Sequence, residues 1–197
     1  MTDAAKILEM IEKSGNGMVS TAQVEQAGIH RDALCRLVAS GKLYRCERGM
    51  YMRPDAWEDE LYLLQQRYGR GIFSHETAAF LHGYSDRTPA RYTMTFPKGY
   101  NTSSLQNENL RVIRVVAENY NMGVIEYSSP CGNPIRIYNL ERTLCDMLRG
   151  SGCDIQIVNS AMKRYAASKE KNIHQLLQYA EQLRVKPKVM RYMEVLL

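Results

Sequence analysis

The chain has 197 residues, of which 45% are hydrophobic and 24% charged, and these shares exclude a disordered or collagen-like protein. No apolar run approaches the roughly 20 residues needed to cross a bilayer, and acids near the N-terminus interrupt any signal-peptide core. We therefore expect a cytoplasmic protein. The formal net charge is +5, with the excess of bases at the two ends: residues 1–53 carry +2 and residues 162–197 carry +5. The five cysteines include no Cys-x-x-Cys pair, which argues against a disulfide scaffold or a zinc ribbon.

The first 53 residues alternate helical patterns with glycine turns. Apolar periodicity and glycine stops predict helices over residues 2–13, 20–27 and 31–40, and short strands over residues 42–46 and 50–52. Ser20 and Gln23 form a capping-box pattern at the start of the second helix, because each side chain can satisfy the backbone amide of the other residue. Three helices followed by a hairpin predict a winged helix-turn-helix domain over residues 1–53.

The remaining residues, 54–197, predict a larger mixed α/β domain that ends in helices. Helices are predicted over residues 58–68, 74–82, 139–148 and from 155 to the end with a break near Lys186, and strands over residues 92–96, 110–116, 124–127 and 135–138. The predicted fold class is therefore α+β: an N-terminal winged helix-turn-helix followed by a larger domain.

The third predicted helix has two distinct faces. At 100° per residue, Leu34, Leu37 and Val38 cluster on one side, and Arg36 lies on the opposite side. A recognition helix needs an apolar back for the core and an exposed front with hydrogen-bonding groups, and an exposed arginine can bond both acceptors of a guanine edge.

The predicted hairpin adds bases beside this helix. Residues 28–53 contain six bases and two acids, and Arg48 lies in the turn where it can reach phosphates. Ser20 and Thr21, at a helix N-terminus, can also meet a phosphate. The candidate DNA-binding residues are Ser20, Thr21, Arg31, Asp32, Cys35, Arg36, Lys42, Arg45 and Arg48. The alternative left open by this pattern is a winged helix that binds another protein.

Three segments resemble the AbiEi-type antitoxins. Residues 17–51 resemble the N-terminal winged helix of that family. Residues 74–83, Ser-His-Glu-Thr-Ala-Ala-Phe-Leu-His-Gly, resemble its Ser-His-x-x-Ala-x-x-x-His-Gly segment, and residues 141–146 resemble its Glu-Arg-Thr-Leu-x-Asp helix start. The chain departs from the family pattern at His30, where Ser or Thr is common before the recognition helix.

The resemblance implies a two-domain, DNA-binding antitoxin of a type IV toxin–antitoxin system, some of which act in abortive phage infection. Such an antitoxin represses its own operon, so the expected partners are double-stranded operator DNA with inverted repeats and a nucleotidyltransferase toxin. Whether the antitoxin contacts the toxin or counteracts it through a shared target is left open. The competing hypothesis is a winged-helix transcriptional regulator whose C-terminal domain senses a ligand.

The residues that suggest other chemistry have simpler interpretations. His75 and His82 are seven apart, which is poor spacing for a metal site, so we expect them to pack and to form hydrogen bonds. Glu141 and Asp146 do not share a helix face, and we expect Arg142 to pair with Asp146. The Gly-Ser-Gly-Cys-Asp segment at residues 150–154 lacks the second acid of a nucleotidyltransferase. We therefore predict no enzyme activity, no cofactor and no metal.

The basic C-terminal segment has two interpretations. Its lysines and arginines form either the solvated faces of docked helices, or a surface that extends DNA contact or meets an acidic toxin or RNA.

Overall fold

The computed structural model describes residues 2–101, 109–150 and 152–196. The chain divides into two compact units. The first unit comprises Met1–Gly69 together with Ser128–Ile135, and the second comprises Arg70–Tyr127 together with Arg136–Leu197. The described residues form ten helices and two sheets, which confirms the predicted mixed α/β class.

The first unit contains the elements of a winged helix-turn-helix, followed by one further helix. In chain order they are α1 (Asp3–Ser14), β1 (Met18–Ser20), α2 (Thr21–Gln26), α3 (Asp32–Ala39), β2 (Tyr44–Glu47), β3 (Met50–Met52) and α4 (Glu60–Arg67). The three strands form an antiparallel sheet in the order β1-β3-β2. β1 is therefore a paired strand, whereas the two apolar residues Met18 and Val19 by themselves indicate no more than a connector or one rung of a strand.

Local signals set the ends of these helices. Gly15, with φ 71°, ends α1 in the left-handed conformation that glycine adopts without strain. The Ser20 hydroxyl accepts from the Gln23 amide at 3.1 Å, and the Gln23 side chain accepts from the Ser20 amide at 2.8 Å. The predicted capping box is confirmed.

The core of the first unit differs from the prediction at two positions. Ala33, Leu34 and Leu37 are buried in α3, whereas Val38 is 36% exposed. At 100° per residue the centre of the buried face lies near Leu37, and Val38 falls at its edge. The apolar positions of the second predicted helix, Val24 and Ala27, predict that both face inward. Ala27 is instead exposed, and Ile29 in the turn after α2 is buried.

The second unit is built on a five-stranded mixed sheet with the order β6-β5-β4-β8-β7. Its elements are β4 (Ile72–Phe73), α5 (His75–Leu81), β5 (Tyr92–Pro97), β6 (Leu110–Val115), α6 (Ala117–Tyr120), β7 (Val124–Ser128), β8 (Pro134–Tyr138), α7 (Leu140–Arg149), α8 (Ile155–Ala167), α9 (Ile173–Gln182) and α10 (Lys186–Leu196). Helices α7 to α10 share one apolar core with residues such as Leu144, Met162 and Leu176. The sequence missed β4 and α6, which are too short to show a period.

The predicted domain boundary lies inside the first unit. The prediction placed the division after residue 53, but the first compact unit continues through α4 to Gly69 and takes up residues 128–135. Hydrogen bonds tie these segments to the unit: Asp59, just before α4, bonds to side chains of residues 128–135, and Arg67 of α4 bonds to Glu47. Trp57, in the segment before α4, is 88% exposed.

Buried polar residues of the second unit have partners of their own. Arg142 Nε donates to Asp146 Oδ2 at 3.0 Å, and both side chains are almost fully buried, which confirms the predicted pair. His82 Nε2 lies 2.8 Å from the Tyr138 carbonyl oxygen, and His75 Nδ1 lies 3.0 Å from Ser74 Oγ. The two histidines therefore pack and bond as predicted.

The described residues hold neither a metal-binding cluster nor a membrane-spanning helix. Within residues 2–101, 109–150 and 152–196, no group of three or more His, Cys, Asp or Glu side chains is arranged to hold a metal ion. In the same part of the chain, no helix has both the length and the apolar character to cross a membrane. Ser151, in the glycine-rich segment mentioned above, lies outside the described residues.

Candidate nucleic-acid interface

Helix α3 presents the exposed face that a recognition helix needs. Its buried side packs Ala33, Leu34 and Leu37 into the core of the first unit. The predicted outward residues Asp32, Cys35 and Arg36 are all exposed. The two faces arise because a helix that buries a narrow apolar stripe leaves the other half of its surface in water.

The N-terminus of α3 is formed without a side-chain cap. Arg31 occupies the cap position and makes no capping hydrogen bond. The preceding His30 instead accepts from the Asp32 amide through Nδ1 at 3.4 Å, and the same nitrogen lies 3.2 Å from Asp32 Oδ2. His30 thus supplies part of what the Ser or Thr common at this position would supply.

The β2–β3 hairpin lies where a winged helix carries its wing. Gly49 has φ 77°, which allows the tight turn, and Arg48 beside it is exposed. The pairing register shifts between Arg45 and Glu47, and Arg45 Nε donates to the Glu47 carbonyl oxygen at 3.3 Å. Lys42 is exposed in the segment between α3 and β2.

Ser20 and Thr21 form hydrogen bonds within the first unit. The Ser20 hydroxyl caps α2. The Thr21 amide donates to the Gly49 carbonyl oxygen at 2.8 Å, and the Thr21 hydroxyl donates to the same oxygen at 3.3 Å. These two residues therefore hold the start of α2 and the hairpin turn together, a role that the sequence pattern did not reveal.

An ion pair joins the hairpin to α4, and no pattern in the sequence predicts it. Arg67, in α4, donates to Glu47 Oε1 at 3.0 Å. Glu47, the acid of the hairpin, therefore pairs with a base of α4 and not with a base of the hairpin. Among the described residues, no ion-pair partner lies within reach of Arg31, Arg36, Lys42 or Arg48. Burial raises the pKa of the neighbouring Cys46 thiol, which disfavours its reactive thiolate form.

The exposed face of α3 and the hairpin both carry exposed bases, and we call these two parts together the α3–hairpin surface. It contains the bases Arg31, Arg36, Lys42, Arg45 and Arg48. Positive charge next to an exposed helix is the electrostatic pattern of a DNA-binding domain.

The family comparison matches this part of the chain. Residues 6–54 fit the family model described as "Transcriptional regulator, AbiEi antitoxin". This segment is similar to that family, and it makes up less than half of the chain. The predicted resemblance to AbiEi antitoxins is confirmed over residues 6–54.

The fold of the chain also has a counterpart among solved structures. The crystal structure of RV2827C protein from Mycobacterium tuberculosis matches with a TM-score of 0.52 and 14% identity, over 98% of this chain and 81% of that one. At this identity the likeness shows a shared fold alone. No curated protein matches the sequence.

Proposed function

We propose that this protein is an antitoxin of a type IV toxin–antitoxin system, which represses its own operon through the first unit and counteracts a nucleotidyltransferase toxin through the second. The α3–hairpin surface carries the proposal, because it places exposed bases, which have no ion-pair partner among the described residues, within the residues that match the AbiEi family model. The proposed setting is abortive phage infection, in which some systems of this type act.

In the proposed complex, α3 enters the major groove of operator DNA. Arg36, exposed in the middle of α3, contacts a guanine edge through two hydrogen bonds. Arg31, Asp32 and Cys35 line the same face, and Lys42, Arg45 and Arg48 meet phosphates. Ser20 and Thr21 border this surface and hold the hairpin turn. An operator with inverted repeats would bind two chains, one at each half-site.

The first test concerns sequence discrimination. Arg36→Ala is expected to reduce the preference for operator over random DNA by about 1–3 kcal/mol, because a bidentate contact to one base is lost. Fluorescence anisotropy titrations at fixed salt measure both affinities. Lys13→Ala, which removes an exposed base from α1, is the matched control and should leave the preference unchanged. Equal operator affinity for Arg36→Ala and wild type would contradict the assignment.

The second test concerns the backbone contact of the hairpin. Arg48→Ala is expected to weaken binding to all sequences alike and to flatten the salt dependence by about one unit, as for one lost phosphate contact. The measurement is the slope of log affinity against log salt concentration for operator and random duplexes. A variant that keeps the wild-type slope while its circular dichroism is native would show that Arg48 does not meet a phosphate.

The role proposed for the second unit is tested in cells. Co-expression of the full chain with the neighbouring toxin gene is expected to relieve growth arrest, and Arg36→Ala should retain this relief because it alters only the first unit. Operator binding without any relief of arrest would favour the alternative function, a transcriptional regulator whose second unit senses a ligand.

A further inference from the structure

A buried carboxylate lies at the start of α4 in the first unit. Asp59 is 3% exposed and accepts hydrogen bonds from the Tyr62 amide at 3.1 Å, from Asn133 Nδ2 at 2.7 Å and from the Ser129 hydroxyl. A carboxylate is costly to bury unless donors surround it. Two of these three donors belong to a segment about 70 residues further along the chain.

That segment, residues 128–135, is called the strap. It joins β7 to β8, two neighbouring strands of the second sheet, yet it belongs to the first compact unit. The strap closes on itself, because the Ser129 amide donates to the Asn133 carbonyl oxygen at 2.8 Å and the Asn133 amide donates to Ser129 Oγ at 3.0 Å. Ser129 and Asn133 are both at most 4% exposed.

The strap also bonds to the turn that leads into β1. Asn133 Oδ1 accepts from Asn16 Nδ2 at 2.7 Å, and Asn16 Oδ1 accepts from the Met18 amide at 3.0 Å. Gly17, which lies between Asn16 and Met18, has φ 70°. A Cβ atom at Gly17 would lie 2.3 Å from Cβ of Ala56. The turn is therefore tightly packed as well as bonded.

A continuous series of contacts runs from the strap to the hairpin turn. Asn16 fixes the first residue of β1, and β1 pairs with β3 from Met18 to Ser20. The next residue, Thr21, bonds to the Gly49 carbonyl oxygen in the turn that carries Arg48. Displacing the strap would leave Asp59 with one of these three donors and would remove the hydrogen bond from Asn16 Nδ2 to Asn133.

We propose that the strap holds the first unit in its DNA-binding form, so that Ser129 and Asn133 are positioning residues for operator binding. This inference rests on the proposed function, and it adds two positioning residues that lie outside the family-matched residues 6–54.

The experiment compares full-length wild type, Asn133→Ala and the double swap Asp59→Asn with Asn133→Asp. The swap exchanges donor and acceptor, so a hydrogen bond between positions 59 and 133 can re-form. The readouts are affinity for an operator duplex and the emission of Trp57, the single tryptophan. Trp57 reports on the strap because it lines the same cleft of about 610 Å³ as Pro130, Cys131 and Asn133.

Asn133→Ala is expected to shift Trp57 emission and to weaken operator binding about five- to tenfold, a usual size for coupling between sites. The swap should restore both readouts. Cys131→Ala, which alters an exposed residue of the strap, is the control. It should leave the affinity for operator DNA unchanged. Rescue by the swap separates positioning from general damage, even if Asn133→Ala folds poorly.

Two results would overturn the inference: operator binding unchanged in Asn133→Ala although Trp57 emission has shifted, or a loss of binding that the swap does not restore. Failure of the proposed function gives a different result, because the wild-type chain itself would then bind no operator DNA.

Discussion

Asp146→Ala is expected to lower the free energy of unfolding of the second unit by about 3–5 kcal/mol, because it leaves a buried cation without its counter-charge. Arg142 is fully buried, and Asp146 is 3% exposed. The remaining contacts of Arg142 are weaker substitutes: its Nη1 donates to the Asn119 and Met122 carbonyl oxygens, and its guanidinium lies 4.2 Å from the Tyr138 ring centroid. None of them carries a full negative charge.

An exposed ion pair in the same unit provides the matched control. Arg164 Nη2 lies 2.5 Å from Asp86 Oδ2. The side chain of Arg164 is 42% exposed, and that of Asp86 is 76% exposed. Asp86→Ala should change the free energy of unfolding by no more than about 1 kcal/mol, because water screens the pair. Urea denaturation followed by far-UV circular dichroism measures both variants. Equal losses for Asp146→Ala and Asp86→Ala would show that burial does not set the cost.

Acidification is expected to destabilise the second unit as the pH falls from about 6.5 to 4, by up to about 3 kcal/mol from His75 alone. Burial lowers the pKa of His75 to about 4, and Arg111, Arg142 and Arg149 lower it further by repulsion. Between these pH values the unfolded chain binds a proton that the folded chain excludes, so stability is lost as the pH falls. Burial also lowers the pKa of His82, which adds an effect of the same sign.

His75→Asn should remove the His75 share of this loss. Asparagine suits the position because the residue has φ 53°, and asparagine tolerates the left-handed region better than most residues do. The variant should resemble wild type at pH 7 and exceed it in stability at pH 5. His174→Asn, at an exposed position in α9, is the control. Urea midpoints at a series of pH values test the prediction, and parallel curves for wild type and His75→Asn would refute it.

Features that depend on near neighbours could be predicted from the sequence alone. The capping box spans Ser20 to Gln23, the Arg142–Asp146 pair spans one helical turn, and the turn at Gly49 needs only its own backbone freedom. Each arises from contacts within about four residues, which leave a spacing that can be recognised. The exposed face of α3, and with it the candidate interface, could be predicted for the same reason.

Features that join distant parts of the chain were decided by the tertiary structure. The strap bonds to Asp59 across about 70 residues, Arg67 reaches back to Glu47, and the two-residue strand β4 is defined by its pairing with β5 and β8. Packing likewise placed Val38 at the edge of the buried face of α3. Such contacts leave no periodic pattern, because each partner satisfies its local geometry equally well without the other. The sequence by itself thus determined most of the helices, the hairpin and the exposed face of α3, and only the tertiary structure showed that the first unit is completed by α4 and the strap.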